Sequence, residues 1–539
     1  MANKFYITTP IYYVNAAPHI GHSYTNIAAD SLARFSRKLL GIENVWFLTG
    51  TDEHGQKIQK AADEAKLTTE KFVDKMAEQF KDLWKRLEIS NDDFIRTTQG
   101  RHIKTVQKAL QILYKKGDIY EGKYEGWYCT PCETFWPAGQ ISGTPQGDGL
   151  ASDSQSHKPE GSGLASDSQS HNLCPDCKRP LEKISETNFF FKLSKYQDWL
   201  IKYIKDIERN PQRIHYIQPA SRRNEVLSFL ENNKLEDLCI SRPIERLSWG
   251  IPLPFSAKHV SYVWFDALIN YISAVGEFDV QNIYRSVWWQ ADVKIMHLVG
   301  KDILRHHAIY WPIILEALGI RQPDVIFAHG WWMIDEDKMS KSRGNVVNPV
   351  EMADKFGIDV YRYFLLRDVP FGLDGNFSEE AIIKRFNGDL ANDLGNLVYR
   401  TLTMVEKYYS GKIPQLDINK VKYDSSGENI KDKLNSLHQA VFAPLDWNND
   451  FSLALEKIWE VIGITNKYVE ETKPWSLVKE AKVKQLAEFI CLLVQAIRKI
   501  GEEVAPFMPK TAESIILQLG GKEIKKGDPL FPRIEIKKK

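Results

Sequence analysis

Two short motifs about 320 residues apart carry side chains suited to acting on an anion. In HIGH, His19 and His22 are three residues apart at the start of a predicted helix, so both imidazoles can reach one anion near its positive end. Gly21 has no side chain, so a flat ring can lie against the backbone. In KMSKS, Lys338 and Lys341 occupy a loop rich in Ser and Gly. This motif predicts either a solvated basic loop or mobile lysines that close over a triphosphate.

Four cysteines form two Cys-x-x-Cys pairs, Cys129–Cys132 and Cys174–Cys177. Two such pairs can offer four thiolates to one tetrahedral zinc ion. A redox dithiol and ordinary core cysteines are the alternatives. Two matching pairs in one segment, without a secretory signal, favour a structural zinc ion.

The segment between the two cysteine pairs has a different composition from the rest of the chain. The nonapeptide GLASDSQSH occurs at 149–157 and again at 163–171. Gly, Ser, Asp and Gln dominate, so the segment cannot bury enough apolar surface to fold alone. It predicts a flexible loop over about 139–171.

Apolar runs and helical periodicity alternate over much of the chain, which predicts an α/β fold with a parallel sheet and right-handed crossovers. The first strand is expected to end at Thr9-Pro10. Ligands bind outside the carboxyl ends of parallel strands. HIGH, TGTDEHG, GKD and HGWWM each follow a strand, so we expect them at one edge of the sheet. The predicted strands span 5–9, 45–50, 294–300 and 325–331, and the first helix spans about 20–40.

From about residue 376 the pattern is helical, which predicts an α bundle. In the segment 381–404, apolar residues at three- and four-residue spacing define a buried face. At 100° per residue, Asn392, Asn396 and Arg400 fall on the opposite side as one polar ridge. A solvated face is the ordinary interpretation of such a ridge. The apolar residues are Ile383, Phe386, Leu390, Leu394 and Leu397.

Composition limits the classes of protein and of partner. The 539 residues are 43% hydrophobic and 26% charged, which is ordinary for globular domains and excludes disordered, collagen-like and coiled-coil classes. No apolar run approaches the roughly 18 residues of a membrane span, and no secretory leader precedes the first strand, so a cytoplasmic protein without membrane contact is expected. The 71 basic residues balance 70 acidic ones, so any nucleic acid must bind through local patches.

The motifs together resemble the methionyl-tRNA synthetases, a family of class I aminoacyl-tRNA synthetases. HIGH and KMSKS are the signatures of the class; TPIYYVNAAPHIGH, FLTGTDEHG, YVWFDALINY, GKDILRHHAIYWP and the cysteine pairs carry the closer resemblance. The resemblance implies a Rossmann-type catalytic domain with a zinc-knuckle insertion, followed by an all-α anticodon-binding bundle. The expected divisions are 1–117 and 226–322 for the two catalytic halves, 118–225 for the insertion, 323–375 for the stem-contact region with KMSKS, and 376–539 for the bundle.

The same resemblance implies the reaction. Methionine and ATP would give methionyl-adenylate and pyrophosphate, and tRNA(Met) would then receive the methionyl group. His19, His22, Lys338 and Lys341 would stabilise the phosphates, with Gly21 also in the ATP site and magnesium accompanying ATP. Arg242 is a further candidate phosphate contact, with a surface salt bridge as the alternative.

The family's methionine pocket maps onto a largely apolar and aromatic set of residues, as suits a thioether. Asp52 could pair with the α-ammonium group of the substrate, and Tyr13 and His307 offer polar edges. The alternative is that the aromatic members are simply core residues. The set is Ile11, Tyr13, Asp52, Trp264, Ala267, Leu268, Tyr271, Ile303, His307 and Trp311.

The resemblance assigns anticodon reading to Asn392, Asn396, Arg400 and Trp475, the last in a Lys-Pro-Trp sequence. Stacking on an exposed Trp475 and hydrogen bonds from the ridge suit an unpaired anticodon loop of initiator and elongator tRNA(Met) alike. The long loop between the cysteine pairs departs from the family pattern. The chain ends after the bundle, without the C-terminal dimerisation domain of many relatives, so a monomer is expected.

Two other functions remain open at the sequence level. Another class I synthetase would keep HIGH and KMSKS but lack this methionine pocket. A non-catalytic zinc- and tRNA-binding factor descended from a synthetase would have damaged signatures, whereas both are intact. A P-loop ATPase is excluded because no GxxxxGK[ST] run occurs.

Overall fold

The central sheet of the protein consists of parallel strands. A computed structural model describes residues 3–15, 17–129, 134–136, 173–174, 179–208, 216–334, 337–338 and 347–535. Within these ranges the sheet contains β1 (Lys4–Tyr13), β2 (Val45–Asp52), β3 (Asp93–Arg96), β4 (Ile217–Gln218), β5 (Val293–Gly300) and β6 (Val325–His329). Their order is β3-β2-β1-β5-β6-β4, and every neighbouring pair is parallel. The predicted α/β class with a parallel sheet is confirmed.

Strand β1 is buried along most of its length because both faces of the sheet are covered. Its side chains alternate between two cores: Phe5 and Ile7 enter one, and Tyr6 enters the other. The prediction that this strand ends at Thr9-Pro10 is wrong. Pairing with β2 shifts register between Thr8 and Ile11 and then continues to Tyr13. Proline lacks the N–H that a ladder needs, and the irregularity accommodates it.

Helix α1 (Ile20–Leu40) joins β1 to β2 and has the bounds predicted from the sequence. Its first turn is capped by His19 and its C-terminal cap is Gly41, whose φ of 93° favours glycine. Arg37 and Lys38 in the last turn lie where the helix dipole favours positive charge. The positive N-terminal end of α1 therefore lies directly beyond the carboxyl end of β1.

An antiparallel sheet is inserted into the parallel one, with three of its described strands between β3 and β4 and one after β4. Its order is Thr134–Trp136, Ile119–Cys129, Glu182–Phe191, Leu238–Cys239. The described part of the chain also contains three smaller sheets: Pro252–Leu253 with Ser256–Ser261 and Ser241–Pro243; Gly276–Phe278 with Tyr284–Ser286; and Asp337–Lys338 with Trp332–Ile334 and Gly375–Asn376.

Helices cover the sheet and then form the C-terminal bundle. Besides α1, the described α-helices are Gln56–Glu64, Thr69–Arg86, Gly100–Lys115, Gln197–Glu208, Ala220–Asn232, Val263–Leu268, Asn270–Ser273, Trp311–Leu318, Pro349–Phe356, Ile358–Arg367, Glu379–Arg385, Asn396–Tyr409, Ser425–Asn448, Phe451–Thr472, Pro474–Lys479, Val483–Val504 and Pro509–Leu519. Among the residues with a described structure, two segments are π-helical, His306–Tyr310 and Phe386–Gly395. None of the described helices combines the length and apolarity that crossing a membrane requires.

The second π-helical segment lies inside one continuous helix from 379 to 409. A π turn bonds residue i to i+5, so some carbonyl groups are displaced from the regular ladder. The helix Phe451–Thr472 supplies donors to this segment: Trp459 Nε1 donates to the Asp389 carbonyl at 3.1 Å, and Asn466 Nδ2 donates to the Asp393 carbonyl at 3.1 Å. The segment is thus fastened to the bundle by side chains as well as by apolar packing.

Arg362 joins helix α1 to the C-terminal helices. Its side chain is fully buried, and its guanidinium donates to Asp30 Oδ2 of α1 at 2.6 Å and to the Leu87 carbonyl at 3.1 Å. It also donates to the carbonyl groups of Phe507 and Pro506, at 2.9 and 3.2 Å. Burial alone would raise the pKa of Asp30, but Arg362 and Arg34 lower it, so the carboxylate is ionised.

Replacing Arg362 by Met should lower the free energy of unfolding by about 3–5 kcal/mol, because a buried Asp30 and several carbonyl groups lose their partner. The melting temperature measured by scanning calorimetry checks this. As a control, Lys60→Met removes an exposed ion pair with Glu64, whose side chains are 76% and 70% exposed, and should change little. Equal melting temperatures for Arg362→Met and Lys60→Met would contradict the prediction.

Candidate active site

A cavity of about 490 Å³ opens at the carboxyl ends of the central strands. It lies where the sheet order reverses, between β1 and β5, as expected for open α/β sheets. Residues from the ends of β1, β2, β5 and β6 and from the start of α1 line it. They are Pro10, Ile11, Tyr12, Tyr13, His19, Ile20, Gly21, His22, Tyr24, Thr25, Asp52, Lys57, Trp264, Ala267, Leu268, Asn270, Tyr271, Gly300, Asp302, Ile303, His307, His329, Gly330, Trp331 and Trp332.

His19 and His22 lie together at the mouth of this cavity as the cap of α1. The Gly21 amide donates to His19 Nδ1 at 3.1 Å, and the His19 amide donates to His22 Nδ1 at 3.2 Å. The two rings stack with centroids 3.9 Å apart. Because each Nδ1 accepts a hydrogen bond, the neutral tautomer carries its proton on Nε2. A Cβ on Gly21 would lie 3.0 Å from His19 Cε1, so glycine lets the ring approach the backbone.

Asp52 lies at the end of β2, beside Tyr13 at the end of β1. Its side chain is buried and lines the cavity together with Ile11 and Tyr13. Lys57 lies above the Tyr13 ring, with Nζ 5.5 Å from the ring centroid. The cavity therefore combines a carboxylate and a cation from one side of the sheet with the positive end of α1.

A fixed hydrogen-bond chain crosses the cavity wall. Tyr271 and His307 are buried, and the Tyr271 hydroxyl lies 2.7 Å from His307 Nε2. His307 Nδ1 lies 2.9 Å from the Ile303 carbonyl, which can only accept. His307 therefore donates from Nδ1 and accepts the Tyr271 proton at Nε2. Burial lowers the pKa of His307 to about 4, consistent with a neutral imidazole.

Trp264 lines the cavity and packs against His306, which is not itself a lining residue. Their rings stack with centroids 3.5 Å apart and planes 17° from parallel. His306 belongs to the π-helical segment His306–Tyr310. Burial, and then the neighbouring His307 and Arg305, lower the pKa of His306 to about 3, so it too is neutral at pH 7.

Trp311 does not line the cavity, although the sequence placed it in the methionine pocket. It is fully buried behind Tyr271, with ring centroids 5.7 Å apart, and its Nε1 donates to His297 Nε2 at 3.2 Å. His297 Nδ1 in turn lies 2.7 Å from Thr8 Oγ1 across the β1–β5 pair. Trp311 thus supports Tyr271 from behind, and a direct contact with a ligand stays only a prediction.

Arg242 also lies away from the cavity. Its side chain is 2% exposed, which rules out the surface salt bridge considered as the alternative. Its guanidinium lies 3.7 Å from the Tyr262 ring centroid and donates to the Ser241 carbonyl at 2.8 Å. An arginine stacked on an aromatic ring inside a small sheet is a packing element, which a sequence reading of ISRP could not distinguish from a phosphate contact.

Of the two lysines in KMSKS, the structure describes Lys338. Lys338 lies in the strand Asp337–Lys338, where it pairs with Met333 next to the cavity-lining Trp332. Lys341 lies outside the described residues. The backbone of Lys338 is therefore close to the cavity wall.

One cysteine from each Cys-x-x-Cys pair is described, and the two meet. Cys129 and Cys174 are buried in one small cluster with Leu181. Cys129 pairs with Thr134 across two antiparallel strands, and the Cys174 amide donates to the Arg179 carbonyl at 2.8 Å. Their partners Cys132 and Cys177, and the repeat loop at 139–171, lie outside the described residues. Within those residues, no group of three metal-ligating side chains occurs.

The ridge predicted in the bundle is exposed. Asn392 and Asn396 are exposed and Arg400 is half-buried, whereas Phe386, Leu390, Leu394 and Leu397 are buried and Ile383 is partly buried. Arg400 Nη1 lies 3.6 Å from Glu470 Oε1, near the end of the helix that Lys473-Pro474-Trp475 follows. The Trp475 side chain is 47% exposed. One helix thus brings the ridge and the Trp475 segment to the same region.

Several cavity residues were not singled out from the sequence. Asp302, His329 and Trp331 lie within GKD and HGWWM. The expectation that ligands bind beyond strand ends identified these segments, but not the individual residues. Trp331 Nε1 donates to Asp302 Oδ1 at 3.1 Å, and Thr25 Oγ1 lies 2.7 Å from His329 Nε2. Lys57 lies in the first turn of Gln56–Glu64, just after Asp52, and this proximity is the signal that could have identified it.

A family model described as "tRNA synthetases class I (M)" matches residues 5–402, which contain the whole of this cavity. The chain belongs to the class I tRNA synthetases of type M. Curated relatives of this synthetase are tRNA ligases as well. "Methionine--tRNA ligase" of Caldanaerobacter subterraneus subsp. tengcongensis is 46% identical over 100% of this chain and 80% of its own length. That of Clostridium tetani is 47% identical over 99% of this chain and 79% of its own length.

Solved structures resemble this synthetase over nearly its full length. Mycobacterium tuberculosis methionyl-tRNA synthetase in complex with methionyl-adenylate aligns with a TM-score of 0.85 and 36% identity, covering 98% of this chain and 100% of that one. Its apo form aligns with a TM-score of 0.79 and 34% identity, covering 100% of this chain and 99% of that one. The synthetase fold therefore includes both the interrupted parallel sheet and the helical bundle.

The buried neutral histidines in and near the cavity predict a loss of stability in acid. The ordinary pKa of histidine is 6.5, whereas the pKa of His306 in the folded protein is about 3. At pH values between these two, His306 binds a proton in the unfolded chain but not in the folded one. Stability should therefore fall as pH drops below 6.5, by about 1.4 kcal/mol per pH unit for each such group. His306→Phe keeps the stack on Trp264 and should make the melting temperature less dependent on pH between 7 and 5.

Tyr310→Phe is the matched control, because Tyr310 contacts the His306 ring with centroids 5.2 Å apart but does not titrate in this range. It should leave the pH dependence of the melting temperature unchanged. An unchanged pH dependence in His306→Phe would contradict the neutral state of His306.

Proposed function

We infer that this synthetase ligates L-methionine to tRNA(Met) at the expense of ATP. Methionine and ATP form methionyl-adenylate and pyrophosphate, and the 3′-terminal ribose of the tRNA then takes the methionyl group and releases AMP. The observation that carries this inference is the cavity at the β1–β5 switch point, within a chain whose curated relatives are methionine–tRNA ligases over nearly all of its length.

In the first step, a carboxylate oxygen of methionine attacks the α-phosphorus of ATP. The bond from that phosphorus to the bridging oxygen breaks, and the electron pair leaves with pyrophosphate. We propose that His19 and His22 donate hydrogen bonds from Nε2 to the phosphate oxygens as charge develops. The N-terminus of α1 adds its positive potential, and Gly21 leaves room for the nucleotide. No covalent intermediate with the protein is needed, because stabilising the transition state suffices.

We propose that the methionine side chain binds among Ile11, Ala267, Leu268, Ile303 and the Trp264 and Tyr271 rings. These side chains line one cavity with the Asp52 carboxylate, which can pair with the substrate α-ammonium group. His307 holds the Tyr271 hydroxyl in place at 2.7 Å, so the ring that faces the substrate has one orientation. Tyr13, beside Asp52, closes the same wall.

We propose that Lys338 and Lys341 neutralise the leaving pyrophosphate, with magnesium arriving bound to ATP. The pairing of Lys338 with Met333 supports this proposal, since it fixes one end of the lysine segment near the cavity. Arg242 has no such support, because it is buried in a separate small sheet.

We propose that Cys129, Cys132, Cys174 and Cys177 bind one structural zinc ion. The burial of Cys129 with Cys174 in one cluster supports this arrangement, because a site built from both pairs needs cysteines of the two pairs to lie together. The zinc would hold the insertion together and take no part in the reaction.

We propose that Asn392, Asn396 and Arg400 read anticodon bases and that Trp475 stacks on one of them. Exposure of both amides and of Trp475, in one region of the bundle, supports this role. Use of both initiator and elongator tRNA(Met), a monomeric state, a cytoplasmic location and the domain divisions given above remain predictions.

One purified sample tests the reaction and the metal together. ATP–pyrophosphate exchange measured with each of the twenty amino acids should respond to methionine alone, because the apolar aromatic cavity suits its thioether. Metal analysis of the same sample should give one zinc per chain. His22→Ala should lower exchange by about 10²–10³-fold, as for the loss of one transition-state donor.

Exchange supported best by another amino acid would identify a different class I synthetase. Zinc and tRNA binding without exchange in the unaltered protein would identify a non-catalytic factor. Full exchange in a zinc-free sample would contradict only the metal site.

Trp475→Ala should raise the KM for tRNA in aminoacylation, because the loss of one stacked base costs about 1–3 kcal/mol. Methionine-dependent pyrophosphate exchange should not change, since that step needs no tRNA. Leu517→Ala, which removes a 65% exposed side chain from another bundle helix, is the control. Equal KM values for tRNA in both variants would contradict the role of Trp475.

A further inference from the structure

A carboxylate held between two imidazoles lies behind the cavity wall. Asp266 is fully buried, and its two oxygens contact different histidines: Oδ2 lies 2.6 Å from His54 Nδ1, and Oδ1 lies 2.7 Å from His102 Nε2. Burial alone would raise the pKa of Asp266, but the charge of His54 and hydrogen bonds from both imidazoles lower it to about 2. The carboxylate is therefore ionised and can only accept, so both histidines donate to it.

The chain of contacts continues beyond His102 to the helix Asn270–Ser273. His102 Nδ1 lies 2.8 Å from Ser273 Oγ, and Ser273 Oγ lies 3.2 Å from the Asn270 carbonyl. His102 and Ser273 are both buried. Asp266, His54, His102 and Ser273, which we call the Asp266 network, thus connect the segment after β2 with three helices, and all four residues are buried.

The Asp266 network links two parts of the proposed methionine pocket: the helix that carries Trp264 and the segment that carries Asp52. Asp266 is in the helix Val263–Leu268, which also carries the lining residues Trp264, Ala267 and Leu268. His54 follows Asp52 by two residues. The contact between Asp266 and His54 therefore fixes the aromatic wall relative to the carboxylate that is to pair with the substrate ammonium group.

The helix Val263–Leu268 packs into the core through Phe265 and Leu268, and Asp266 gives it a polar contact with the segment after β2. It has six residues, and no side chain caps its N-terminus. So short a helix has little stability of its own. The segment containing His54 is fastened independently, since Trp249 Nε1 donates to the Glu53 carbonyl at 2.6 Å and Arg96 pairs with the Glu53 carboxylate at 2.7 Å. The segment after β2 is thus the fixed partner, and Asp266 attaches the helix to it.

We propose that Asp266 is a positioning residue for amino-acid binding, acting with His54 and His102 to set the distance between Asp52 and the Trp264 wall. The proposal rests on the function inferred above. It concerns binding of the amino acid and not of ATP, because His19, Gly21 and His22 belong to α1, which the Asp266 network does not touch.

Asp266→Asn keeps the size of the side chain but removes the charge and one acceptor. In pyrophosphate exchange it should raise the KM for methionine by about tenfold or more, since small displacements in a binding site have effects of this size. The KM for ATP should stay within about twofold. Ser273→Ala, at the far end of the network, should raise the KM for methionine by a smaller factor, about two- to threefold.

Asp118→Asn is the matched control. Asp118 is likewise a buried carboxylate, held by Lys195 Nζ at 2.6 Å and the Tyr196 hydroxyl at 2.8 Å, but it does not line the cavity or join the network. It should change the melting temperature but neither KM. A purely structural role for Asp266 would give the same result as Asp118→Asn.

The proposal is overturned if the KM for methionine in Asp266→Asn stays within about twofold of the unaltered protein, or if both KM values rise together. If Asp266→Asn yields no folded protein, Ser273→Ala and His54→Gln decide: an unchanged KM for methionine in both overturns the proposal. Failure of the unaltered protein to exchange pyrophosphate with methionine would instead refute the proposed function.

Discussion

A buried ion pair determines how the two halves of this protein fit together. A guanidinium in a dry interior must have every donor satisfied, and Arg362 meets this requirement only where α1, the end of Thr69–Arg86 and the turn before Pro509–Leu519 converge. The hydrophobic core agrees: one continuous cluster runs from β1 through the bundle to Phe531. The helix that carries the HIGH histidines is therefore held from its opposite side by the bundle proposed to bind the anticodon.

The sequence predicted those parts of the fold that depend on local pattern. The bounds of α1 were confirmed, as was the convergence of HIGH, TGTDEHG, GKD and HGWWM at one edge, because parallel strands all present their carboxyl ends on the same side. Parts that depend on tertiary packing were not predictable. Neither the continuation of β1 past Pro10 nor the burial of Arg242 under Tyr262 has a local signal.

The residues that line the cavity were predicted better than the residues that pack behind them. Nine of the ten proposed methionine-pocket residues line it, with Trp311 behind the wall. The Asp266 network was not found, because a carboxylate and two histidines spread over 212 residues of sequence have no spacing to recognise. Burial lowers the pKa of His297, His306 and His307, in the cavity wall or near it, and each ring is oriented by a neighbour.

The π-helical segment Phe386–Gly395 determines the direction in which the side chains of the following helix face. An α-helix turns 100° per residue, whereas a π segment accommodates extra chain within nearly the same turns. The angle at which Asn396 and Arg400 face outward therefore depends on the length of this segment, while Leu390 and Leu394 keep their place in the core. Inserting or deleting one residue there would rotate the polar ridge about the helix axis and away from Trp475. The fold of the catalytic sheet would stay intact.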